Sequence, residues 1–82
     1  MKSEKELAVE LCEQNIQTLL ARKLDLRYHK DTLIPRYLKE KDKKVRKAKV
    51  DNAEKEMEQL KVLIKDLQDI IKFNKEMIAE YK

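Results

Sequence analysis

From residue 50 to residue 81 the chain repeats apolar side chains at alternating steps of three and four: Val50, Ala53, Met57, Leu60, Ile64, Leu67, Ile71, Asn74, Ile78 and Tyr81, with Asn74 the one strongly polar member. A turn of 3.6 residues gathers such a series on one side of a helix, whereas a strand would scatter it over both faces. Written as heptads, Val50, Met57, Ile64, Ile71 and Ile78 take the a positions and Ala53, Leu60, Leu67, Asn74 and Tyr81 the d positions. Leu63, Ile70 and Met77 fall at g, while e holds Glu54, Lys61, Gln68 and Lys75. The stripe is therefore three positions wide in seven, a width that suits a helical bundle better than a lone two-stranded coil.

The first half also reads as helix. Ser3 is placed to cap it, with Glu6 three residues later in a capping-box spacing. Its apolar face is less regular: Val9, Cys12, Ile16, Leu19, Leu20 and Leu24 share a side, to which Ile34, Tyr37 and Leu38 return after the polar group Lys23, Arg27, Lys30 and Asp31. Leu7, Leu11, Leu26 and Leu33 lie on its other sides. Two segments can reverse the chain, 31–35 around Pro35 and 40–46. Turning at Pro35 strands the apolar stretch 63–81 without a partner, whereas turning near residue 43 yields two arms of matching length, each about 55 Å at 1.5 Å per residue. The expected fold is all-α, a single long antiparallel hairpin: a helix over 4–40 kinked near Pro35, a basic turn at 41–45 and a helix over 46–81. In that register Ile16 meets Ile70, Cys12 lies level with Asn74, and Arg27 and Lys30 reach Glu56 and Gln59.

Composition bears on what surrounds such a hairpin. Of the 82 residues 44% are charged, none is Gly or Trp and only four are aromatic, so a large core of the side chains that bury most area is excluded. A short chain has little buried surface to set against about 1.5 kcal/mol of conformational entropy per ordered residue. Self-association is expected, as a homodimer of hairpins forming a four-helix bundle or as a parallel coiled coil through 50–81. The interface set is Val9, Cys12, Ile16, Leu20, Met57, Leu60, Ile64, Leu67, Ile71, Asn74 and Ile78. Asn74 within it is the kind of polar seam residue that selects register. Ile70, Phe73 and Met77 are the candidate patch for a further partner protein, with extra helix packing inside the homo-oligomer as the alternative reading of the same three residues. The general pattern is similar to that of small helical-hairpin dimers, including the plasmid RNA-binding type; the likeness is one of architecture, and architecture does not transfer activity.

Little in the sequence supports catalysis. One Cys and one His cannot build a four-ligand zinc site, and His29 has Leu26 rather than Glu three residues before it, so the carboxylate-bridged metal motif of helical bundles is missing. His29 is expected to face solvent or lie in a loop, and Cys12 to be a small buried apolar group. A chain without Gly has no Gly-rich phosphate loop. No cofactor, metal or small-molecule substrate is expected, and no enzyme. The N-terminus mixes Lys2 and Lys5 with Glu4, Glu6 and Glu10, unlike a signal or presequence, and no apolar run spans a bilayer, so the expected location is cytoplasmic, without membrane contact.

Charge is unevenly spread. Residues 1–34 carry six basic and six acidic side chains, 35–50 eight and two, and 51–82 six and eight. The candidate nucleic-acid-binding set is Arg36, Lys39, Lys43, Lys44, Arg46, Lys47 and Lys49, with Lys41 among them. Lys exceeds Arg in this segment, and only Tyr37 offers a ring, so base-specific readout has little support. The leading expectation is a non-enzymatic protein–protein interaction module, a small adaptor or modulator. Nucleic-acid binding through the basic segment and a structural assembly subunit are the alternatives.

Overall fold

A computed structural model describes residues 1–81. They form an extended hairpin of helices: α1 (Glu4–Tyr28), a π-helical turn (His29–Leu33), α2 (Ile34–Tyr37) and α3 (Lys43–Glu80), with no strand among the described residues. Its Cα envelope measures 61 × 18 × 17 Å.

Local chemistry sets each boundary. Ser3 adopts extended backbone and its hydroxyl accepts from the Glu6 amide at 3.2 Å, starting α1. Asp42 does the same for α3, accepting from the Lys44 amide at 2.9 Å and the Val45 amide at 3.2 Å. Such caps satisfy amides that have no carbonyl a turn earlier. The reversal therefore occupies residues 38–42, where helices over 4–40 and 46–81 would put it at 41–45: α3 starts three residues earlier because Asp42 supplies the cap.

Pro35 stays inside the first arm. Proline has no amide proton, and its ring crowds the carbonyl four residues back. The π turn just before it accommodates this, the Ile34 amide reaching back five residues to the His29 carbonyl. The α pattern then resumes, with Leu38 N–H donating to the Ile34 carbonyl at 2.9 Å. The expected kink is thus a widened turn that keeps α1 and α2 in one arm along α3.

The α3 stripe faces that arm. Ala53, Leu60 and Ile71 are buried, and Val50, Met57, Ile64, Leu67, Asn74, Ile78 and Tyr81 are half-buried. From α1 Cys12 alone is buried with them, so among the described residues four side chains make up the core. Here the structure departs from the expected α1 face. Leu19 is half-buried as expected, but Leu20 and Leu24 are exposed, and Leu26 and Leu33 are half-buried in their stead with Arg22 and His29. Leucines distributed all around α1 do not define one face, so the sharper stripe of α3 selects which of them turn inward. Ile16 is half-buried but Ile70 remains exposed, and Asn15, about one turn beyond Cys12, is the α1 residue that bonds Asn74.

Candidate interaction surfaces

Three features of the hairpin carry chemistry or contact potential: a polar layer between the arms, an apolar flank along the open half, and a cationic pole at the reversal.

The polar layer is built from side chains that meet across the arms. Asn15 Nδ2 donates to Asn74 Oδ1 at 2.9 Å in a part-buried position. Further toward the reversal, His29 Nε2 lies 2.7 Å from Glu56 Oε2, and His29 Nδ1 lies 2.8 Å from the Asp25 carbonyl oxygen. A backbone carbonyl and a carboxylate are both acceptors, so the two contacts are satisfied together when both ring nitrogens carry protons. The Glu56 hydrogen bond raises the His29 pKa above its ordinary value of 6.5, the Asp25 carbonyl adds to this, and burial opposes it. The His29 side chain is only 14% exposed and the residue opens the π-helical turn, so it is neither solvent-facing nor in a loop. Arg27 does not reach Glu56; it pairs with Asp31 on its own arm at 3.2 Å.

The apolar flank follows from helix geometry around the Asn15–Asn74 bond. Leu7, Leu11 and Asn15 are successive i,i+4 neighbours on α1, while Ile70 and Met77 lie one turn either side of Asn74 on α3. Both ladders therefore flank the same edge of the hairpin. Leu7, Leu11, Leu63, Ile70 and Phe73 are 45–59% exposed and Met77 is half-buried. Of the proposed partner patch, Ile70 and Phe73 are thus open to solvent. The expected oligomer set lies mostly between the arms of one chain: Val9, Cys12, Ile16, Met57, Leu60, Ile64, Leu67, Ile71, Asn74 and Ile78 are buried or half-buried there, and Leu20 alone is exposed. Surface furrows beside the flank, such as that lined by Glu58, Gln59, Val62 and Leu63, are open rather than enclosed.

At the pole the structure divides the basic residues into two groups. Arg46 Nη1 donates to the Glu40 carbonyl at 3.2 Å, and Lys49 pairs with the Glu40 carboxylate at 3.6 Å while lying 5.7 Å above the Tyr37 ring. These two cations brace the reversal. Arg36, Lys39, Lys41, Lys43, Lys44 and Lys47 are exposed, and none of them forms an ion pair among the described residues.

Among the described residues no group of three or more His, Cys, Asp and Glu side chains is placed to hold a metal ion. Nor, among the described residues, is any helix long and apolar enough to cross a membrane. The fold defines an all-helical extended hairpin; comparison with protein-family models, curated proteins and solved structures found no match.

The seam of α3 was readable from its spacing. The polar layer was not, because Asn15, His29 and Glu56 are unremarkable until a register is known; the one available signal was Asn74 interrupting an apolar series.

Proposed function

We propose that the chain is a non-enzymatic interaction module that works as a self-associated hairpin, acting in the cytoplasm as an adaptor or modulator for other proteins. The observation that carries this is surface. The chain exposes 6761 Å², whereas a compact folded protein of its 9.9 kDa mass exposes roughly 5,200 Å². The difference, about 1,500 Å² per chain by that scaling, exceeds the roughly 800 Å² each partner contributes to a standard interface. The radius of gyration, 18.2 Å, compares with about 12 Å for a globular domain of this length. Two hairpins laid flank to flank, with Leu7, Leu11, Leu63, Ile70, Phe73 and Met77 of each facing the other, form a four-helix bundle of ordinary compactness. A self-complementary flank of this kind supports a twofold dimer.

Size-exclusion chromatography with light scattering tests the reading. The expected mass is twice 9.9 kDa, falling toward the single-chain value only on strong dilution. A fully helical chain that keeps the single-chain mass at millimolar concentration refutes it.

A further inference from the structure

The six cations at the reversal are not explained by the hairpin's own architecture. We infer that this pole, formed by Arg36, Lys39, Lys41, Lys43, Lys44 and Lys47, binds the phosphate backbone of nucleic acid without reading its bases. The inference is independent of the chain's association state.

Internal neutralisation fails at this pole because its acids are already engaged. Glu40 is held by Lys49 and also accepts from the Asp42 amide at 3.4 Å. Asp42 is occupied in capping α3. The remaining six positive side chains lie on both arms and on the connection between them, Arg36 on α2, Lys39 and Lys41 in the reversal, and Lys43, Lys44 and Lys47 on α3. Beyond the Asp42 cap the first turn of α3 contains no acid, so at the positive end of this 38-residue helix one carboxylate stands among several lysines, whose charges the helix dipole disfavours there. An anion at the pole relieves both sources of repulsion.

The spread of the cations selects the kind of anion. They are distributed over both arms and the connection between them, at one end of a molecule 18 × 17 Å in cross-section, an arrangement that suits an extended polyanion better than a single phosphate. A duplex carries one charge per roughly 1.7 Å of its axis and can meet several of them at once. Among the described residues a bilayer surface would find Leu38 and Val45 as the exposed large apolar side chains to insert here. Base readout is poorly equipped: the Tyr37 ring lies under Lys49, and Arg36 is the one bidentate fork among the six free cations, the other five being lysines that act as point charges.

Fluorescence anisotropy with labelled duplexes of unrelated sequence provides the test. Binding should be indifferent to sequence and weaken about 10³-fold between 50 and 200 mM salt, as expected for about six phosphate contacts. The triple variant K43Q/K44Q/K47Q should flatten the logarithmic salt slope by about three, with helicity unchanged by circular dichroism. The variant K65Q/K72Q, remote from the pole, should bind as the parent chain does. The inference is overturned by absence of binding at low salt, by a triple variant whose binding matches the parent's, or by co-sedimentation with phosphatidylserine vesicles where nucleic acid is not bound.

Discussion

Replacing Phe73 by Ala probes the flank directly, because it removes contact surface without touching the packing between the arms. Phe73 is 59% exposed in the single hairpin. Full burial of a Phe side chain is worth roughly 1.5–3 kcal/mol, so covering the part still exposed contributes about 1–2 kcal/mol. In a twofold dimer every flank residue counts twice, which makes the loss about 2–4 kcal/mol per dimer, or roughly 30- to 700-fold in the dissociation constant. Sedimentation equilibrium over a wide concentration range measures that constant. Circular dichroism of the dilute monomer measures the stability of the single hairpin, which should barely change. An unaltered dimer constant in F73A, with Leu20→Ala and Leu24→Ala weakening association instead, would place the interface on the other side of α1 and refute the flank assignment.

Three further outcomes follow from the same contacts. With its pKa raised above 6.5 by Glu56 and the Asp25 carbonyl, His29 stabilises the fold fully below the unfolded value near 6.5. That contribution is lost as pH rises through the higher folded value, so urea midpoints should fall over this window in the parent chain and stay level in His29→Gln. Asn74→Ala, which leaves the Asn15 amide without its partner, should cost about 1 kcal/mol in chemical denaturation, whereas the double change N15L/N74L should match or exceed the parent because no polar group is left unpaired. Asp42→Ala removes the α3 cap and should cost about 1 kcal/mol of thermal stability, with amide exchange quickening first at Lys44 and Val45.

How much of this was legible beforehand depended on how sharply each segment discriminates between its faces. On α3 the inward positions Ala53, Leu60 and Ile71 belong to a series with charged or amide side chains at almost every position opposite, so the buried stripe could be read directly. On α1 leucines occur on every side, and propensity cannot choose among them; partner geometry did, turning Leu26 and Leu33 inward and leaving Leu20 and Leu24 outside. The end of the first arm was misplaced by three residues because a Lys-rich run looks alike whether it is helix or turn. Asp42 was the deciding residue, a cap hidden among lysines. The His29–Glu56 contact joins positions 27 apart, and no local pattern announces a pairing of that kind.

The widened turn at His29–Leu33 bears on how the chain tolerates changes of length. A π turn is an α-helical turn carrying one residue more. Removing one residue there, together with exchanging Pro35 for Ala, should heal the arm into uninterrupted α-helix while the residues on either side keep the faces they now present. The same deletion at mid-α1 or mid-α3 would rotate everything beyond it by about 100°, swinging buried side chains toward water. Within its helical arms the hairpin therefore has a seat at which a deletion is inexpensive, and it lies beside the His29–Glu56 contact, where the two arms are tied.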